Sequence, residues 1–90
     1  IANAGAIPPQ NLTLYRGVES AFMTNHVSHF MMINGLLPAL VDDGRIVVVS
    51  SITHEYVKTL DFLDNINFSK GGYDSLHAYS VSKVLNFSFK

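Results

Sequence analysis

Arg45-Ile-Val-Val-Val-Ser-Ser51 is the stretch that decides the fold. Its four consecutive β-branched residues, Ile46 to Val49, favour extended backbone. Because they do not alternate with polar residues, they predict a strand covered on both faces. Strands of that kind belong to parallel sheets packed between helices. Just upstream, Asp42-Asp43-Gly44 reads as a turn, with Gly44 as a left-handed cap. Over residues 18–41 the apolar side chains of Phe22, Val27, Phe30, Ile33, Leu37 and Leu40 recur at helical spacing. Pro38 predicts a kink or an early stop near the end of that helix. Further back, Ile1-Ala-Asn-Ala-Gly5 reads as the carboxyl end of another strand, with Gly5 allowing a close backbone approach or an unusual turn. Pro8-Pro9 and Asn11-Leu-Thr13 continue as loop.

Downstream of Ser51, residues 52–73 mix polarities and carry Gly71-Gly72, which predicts mostly loop with one helical turn. Residues 75–90 read as a second helix, with Leu76, Val84, Leu85 and Phe89 turned toward the sheet. The order is strand end, helix, strand, helix. It predicts an α/β chain taken from the centre of a doubly wound parallel sheet.

Composition narrows the function. Of 90 residues, 48% are hydrophobic and 14% charged, a balance that suits an interior piece of a larger globular domain. Net charge is −1 and the six Lys and Arg residues are scattered, so no nucleic-acid partner is expected. The absence of cysteine excludes disulfides, thiolate metal sites and cysteine nucleophiles. No apolar run approaches the ~18 residues needed to span a bilayer. The chain opens on isoleucine and not on methionine, so a start, and any targeting segment the parent carries, are expected to lie outside it, and membrane association of the parent stays open. His26 and His29 stand three apart, but no third ligand is spaced with them, so no metal site is expected. Met23, Met31 and Met32 read as core or subunit-interface residues. The three Asn-x-Ser/Thr matches at Asn11, Asn67 and Asn86 carry little weight without evidence of secretion.

In open parallel sheets the chemistry sits outside the carboxyl ends of the strands. Here those ends carry Asn3-Ala4-Gly5 and Ser50-Ser51, and the following helix carries Tyr79 and Lys83. Four apart on a helix, Tyr79 and Lys83 share a face. An ammonium beside a phenol stabilises the phenolate, which makes a proton donor and acceptor for a carbonyl/alcohol couple.

These motifs, in this order, resemble the short-chain dehydrogenase/reductase family, and the resemblance covers nearly all of the chain. Asn3-Ala4-Gly5 matches the family's Asn-Ala-Gly signature. Asn25 sits where the family places a catalytic asparagine, Ser51 matches its catalytic serine, and Tyr79 with Lys83 matches Tyr-x-x-x-Lys. Ser50 is the alternative to Ser51, and Ala2 stands where many members have a second asparagine. The 28-residue separation of Ser51 from Tyr79 exceeds the family's usual spacing. With Ser50-Ser-x-x-His54 and Ala78-Tyr-x-x-Ser-Lys-x-x-Asn86, it resembles the branch of retinol dehydrogenases and WW-domain-containing oxidoreductases.

The resemblance implies a Rossmann-like fold and NAD(P)-dependent interconversion of an alcohol and a carbonyl, with retinoid, steroid or lipid-derived substrates. NADP is favoured over NAD by the branch. Asn25, Ser51, Tyr79 and Lys83 would be catalytic, and Asn3, Ala4, Gly5, Tyr79 and Lys83 would line the cofactor cleft. Tyr79 would move the proton, Lys83 would favour the phenolate and bond the nicotinamide ribose, Ser51 would steady the oxyanion, and Asn25 would hold a relay water. A homo-oligomer through the long helices and an intracellular location, cytosolic or membrane-associated, are also implied. The family's glycine-rich phosphate loop is not among these residues. Residues 1–90 therefore read as part of an NAD(P)-binding domain, expected neither to fold stably nor to bind cofactor alone. The other reading is a catalytically silent member serving as a binding or regulatory module.

Overall fold

The computed structural model describes residues 1–59 and 61–87. A two-residue strand, β1 (Leu14–Tyr15), pairs antiparallel with β2 (Val18–Glu19). The residues between them, Arg16 at φ 52° and Gly17 at φ 81°, form the left-handed corner of a tight hairpin. The chain enters α1 (Ser20–Phe22) directly, passes through a π-helical turn (Met23–Val27) and continues as α2 (Ser28–Leu36). A 3-10 turn (Leu37–Ala39) around Pro38 ends the helix. Two further 3-10 segments, Ile52–Tyr56 and Asp61–Asn65, precede α3 (Ser75–Phe87). Both expected helices are present. Phe89 and Lys90, read from sequence as part of the second, lie outside the described residues.

The expected strand over Arg45 to Ser51 is corrected. Among the described residues it pairs only through a single parallel bridge from Val48 to Ala2. Ala2 N–H donates to the Val47 carbonyl at 2.7 Å, and Val49 N–H donates to the Ala2 carbonyl at 3.0 Å. β-Branched residues set the local backbone, but a strand also needs partners in register, and Ala2 supplies one. Among the described residues the sheet is thus the β1–β2 hairpin, in an α/β chain whose only parallel contact is that bridge.

Three smaller expectations are also corrected. Gly44 is not left-handed; a Cβ there would meet Leu40 Cγ at 2.7 Å and the Val41 carbonyl at 2.9 Å, so close packing explains the glycine. Leu76 is exposed and does not face a sheet. On the first helix, Phe30, Leu37 and Leu40 are also exposed. Beside the bridge, Met32, Leu36, Leu37, Leu40 and Ile46 line one apolar hollow that is left uncovered.

The buried apolar cluster lies at the other end, where Ala21, Phe68 and Ala78 pack with Tyr73 at their edge. Phe68 meets Tyr73 edge-on at 5.1 Å between ring centroids. Glu19, 1% exposed, caps α1 by accepting from the N–H groups of Ala21 at 2.7 Å and Phe22 at 3.0 Å. The Glu19 N–H donates to Asn67 Oδ1 at 2.9 Å, which ties residues 61–73 to the hairpin. Tyr73 adds a second tie by donating to the Pro9 carbonyl at 2.6 Å. Burial first, then the charges of Glu19 and Asp74, push the Tyr73 phenol above its ordinary pKa and keep it a donor. Among the described residues no helix is long and apolar enough to cross a membrane, and no group of three potential metal ligands occurs.

Candidate active site

The buried face of α3 is polar. Ser80, Ser82, Lys83 and Asn86 are all buried there beside Ala78 and Val81. A buried polar group is costly unless it is hydrogen-bonded, so each of these demands a partner. Ser80 bonds back to the Leu76 carbonyl of its own helix, and the neighbours of Ser82, Lys83 and Asn86 assemble the site.

Asn25 is fully buried in the π-helical turn, not on the surface. Its Oδ1 accepts from Ala6 N–H at 2.9 Å, and its Nδ2 donates to the Ala6 carbonyl and to Ser82 Oγ, each at 3.0 Å. Ser82 in turn donates to the Tyr79 carbonyl at 2.6 Å. Asn25 therefore binds the loop after Gly5 to the helix that carries Tyr79 and Lys83. Both of its amide protons are committed, which leaves oxygen lone pairs as its remaining bonding capacity.

Lys83 is 3% exposed, and among the described residues no acid pairs with it. Its Nζ lies 5.5 Å from the centroid of the Tyr79 ring, within cation–π range. Desolvation lowers its pKa from the ordinary lysine value. The folded state thus holds this proton less readily than the unfolded chain. Charged Lys83 costs stability below its lowered pKa, and that cost is relieved as pH rises through it toward the ordinary value. The Tyr79 hydroxyl makes no hydrogen bond to another described residue and stays available to a ligand.

Gly5 explains the small residues of the first loop. A Cβ at this position would lie 3.1 Å from Lys83 Nζ and 3.5 Å from Asn25 Oδ1. Its φ is not left-handed, so the glycine serves close approach rather than an unusual turn. Gly5→Ala is expected to displace the ammonium by a few tenths of an ångström. The expected result is roughly a tenfold loss of turnover, with under about 1 kcal/mol of stability lost. Turnover and the urea midpoint of the full-length protein, measured side by side, check this. Asn3 and Ala4 lie exposed on the same loop.

The two serines are placed differently. Ser50 donates to the Lys83 carbonyl at 2.6 Å, so its proton is spent holding its segment to α3. Ser51 caps the 3-10 segment, its Oγ accepting from Thr53 N–H at 3.2 Å and lying 3.1 Å from Thr53 Oγ1. Ser51 joins the cluster through its neighbour, with no hydrogen bond of its own to Tyr79 or Lys83. Asn3, Ala4 and Ser51 thus border the group that Gly5, Asn25, Tyr79 and Lys83 form.

Asn86 has a larger part than its place in a branch motif suggested. Its Nδ2 donates to the Asn25 carbonyl at 2.8 Å and to the Val49 carbonyl at 3.2 Å, and its Oδ1 lies 3.0 Å from His26 Nδ1. One buried amide therefore joins the π-helical turn, the segment leading into Ser50 and Ser51, and α3. Its spacing from Lys83 was the only signal in the sequence. His26 is drawn into this network through its Nδ1, and His29 is buried one turn further on.

The exposed loop at Asn3–Gly5 thus passes close to the Lys83 ammonium, which no acid pairs with among the described residues. Comparisons with known proteins find oxidoreductases among the relatives. A probable oxidoreductase of Streptomyces lividans is 43% identical, covering 99% of this chain and 30% of that protein. The chloroplastic short-chain dehydrogenase TIC 32 A of Brassica napus is 36% identical, covering 78% of this chain and 24% of that protein. Human retinol dehydrogenase 14 is 37% identical, covering 99% of this chain and 26% of that protein. No family model and no solved structure matches the chain. The chain belongs to the short-chain dehydrogenase/reductase family. Within it, the chain falls in the branch of the retinol dehydrogenases and the WW domain-containing oxidoreductase. It spans between 24% and 30% of the length of the three relatives described.

Proposed function

We propose that these residues form the proton-transfer side of an NAD(P)-dependent alcohol/carbonyl oxidoreductase. The observation that carries the reading is the convergence of Gly5, Asn25, Tyr79 and Lys83, from three separate segments, around one buried ammonium. Residues 1–90 are then part of a Rossmann-like, doubly wound parallel sheet. The parallel bridge between Ala2 and Val48, joined across an intervening helix, supports that topology. So does the exposure of Ile46 and Val47, apolar neighbours on an extended segment that further sheet and helix would bury.

A nicotinamide cofactor held there would supply or accept the hydride. Tyr79 gives its hydroxyl proton to the carbonyl oxygen in reduction and takes the alcohol proton in oxidation. The nearby Lys83 ammonium favours the negative charge left on the phenol oxygen. Ser51 donates a hydrogen bond to the substrate oxygen, which strengthens as charge builds there. Asn25 fixes the loop carrying Asn3, Ala4 and Gly5, and with Lys83 these residues hold the ribose. NADP is the form favoured by the branch, and apolar retinoid, steroid or lipid-derived carbonyls are the substrate class.

The test is cofactor oxidation by the full-length protein with NADPH or NADH and a panel of retinals, steroid ketones and aliphatic aldehydes. Turnover is expected with at least one apolar carbonyl. Tight cofactor binding with no turnover on any of them would contradict the proposal.

A further inference from the structure

We infer that Thr53 is a positioning residue that makes the Ser51 hydroxyl a dedicated hydrogen-bond donor to the substrate oxygen. The inference rests on the catalytic role of Ser51 proposed above. A serine hydroxyl has one proton and two lone pairs, and it can face a ligand either as donor or as acceptor. Thr53 removes that choice. Its backbone N–H points at Ser51 Oγ from 3.2 Å, and its hydroxyl lies 3.1 Å from the same atom. Once a substrate oxygen accepts the Ser51 proton, Thr53 Oγ1 can only donate to Ser51. Both lone pairs of Ser51 are then filled, and only its O–H remains to face the ligand. Donors behind a hydroxyl also polarise it, which strengthens the bond it gives. No proton leaves Ser51 or Thr53; the pair only reorients.

The backbone around this pair is held independently of Thr53. The Ser51 carbonyl accepts from His54 N–H at 3.1 Å and from His54 Nδ1 at 2.6 Å. The His54 ring stacks on Phe87 of α3 with centroids 4.9 Å apart and planes 7° from parallel. Neighbouring Ser50 is bonded to the Lys83 carbonyl. Removing the Thr53 hydroxyl should therefore leave Ser51 in place while taking away one of the two donors behind it. Valine is close in shape and keeps the backbone N–H, which makes Thr53→Val the variant of choice.

The experiment is a double-mutant cycle in the full-length protein, with kcat, KM, cofactor affinity and thermal midpoint measured for each variant. Thr53→Val is expected to lower kcat roughly three- to tenfold with KM, cofactor affinity and midpoint unchanged. Thr53→Ser, which restores a hydroxyl, should recover most of the loss. In a Ser51→Ala background, Thr53→Val should cost nothing further, because the oxygen it acts through is gone. Unchanged kcat in Thr53→Val beside a slow Ser51→Ala would overturn the inference and leave the proposed function standing. An equal loss in both backgrounds would overturn it as well, since Thr53 would then act on the fold and not on Ser51. If Ser51→Ala itself turns over normally, the role assigned to Ser51 fails and this inference falls with it.

Discussion

Tyr79→Phe is expected to reduce turnover by roughly 10²–10⁴-fold, the usual worth of a positioned general acid–base, while cofactor affinity and stability stay unchanged. The separation of effects follows from the geometry. The hydroxyl makes no hydrogen bond to another described residue, so its removal strands no buried partner. The ring remains near Lys83 Nζ, which sits 5.5 Å from its centroid. What disappears is a phenolic proton that no described residue accepts, so it can reach a ligand without breaking an existing bond. The Ser50 and Ser82 protons are both given to backbone carbonyls, at 2.6 Å in each case. The amide protons of Asn25 are committed to Ala6 and Ser82. Lys83 cannot stand in directly, because its ammonium lies against Gly5 and the ring. Steady-state turnover at saturating cofactor, with a thermal melt of the same preparation, reads both parts. Turnover within a few-fold of the unsubstituted protein would remove Tyr79 from the mechanism.

Asn86→Leu is expected to carry the largest cost in stability, roughly 2–4 kcal/mol. Leucine fills similar space but supplies none of the three interactions. The Asn25 carbonyl loses its 2.8 Å donor, the Val49 carbonyl its 3.2 Å donor and His26 its acceptor. Buried groups that lose partners carry the full cost of their desolvation. Asn86→Asp should be no better, since it places a carboxylate oxygen against two carbonyls. Activity should fall with stability, because this amide joins the three segments that supply Asn25, Ser51 and the Tyr79–Lys83 pair. Denaturant midpoints at unchanged slope measure the cost. A shift worth less than about 0.5 kcal/mol would show that the junction is held by other contacts.

The parts of this site that were legible in the sequence are those in which residue type and spacing are the whole of the information. Tyr79 and Lys83 share a helix face because four residues make about one turn. Gly5 could be singled out because close approach requires the absence of a Cβ. The helices followed from apolar recurrence, although the faces did not. On α3 the recurrence pointed to Leu76, whereas the structure buries Ser80, Ser82, Lys83 and Asn86. Hydropathy finds apolar faces and is blind to a polar face whose cost is offset by partners many residues away. The same limit hid Asn86, which meets Asn25 across 61 positions and Val49 across 37. Ile46 to Val49 carried a strong strand signal, yet a ladder depends on partners that local composition does not specify, and the structure pairs only Val48 with Ala2. The β1–β2 hairpin had a usable sign in Gly17 after Arg16, but strands of two residues are too short for alternation to show.

The most direct measurement of the central claim is cofactor-linked turnover by the full-length protein with NADPH or NADH deuterated at the transferring C4 position. An apolar aldehyde or ketone serves as acceptor, and the product is read by mass spectrometry. The account predicts an alcohol carrying one deuterium on the former carbonyl carbon, and a large loss of that product in Tyr79→Phe. A protein that binds the cofactor yet yields no deuterated alcohol, or yields as much with Tyr79→Phe, would contradict it.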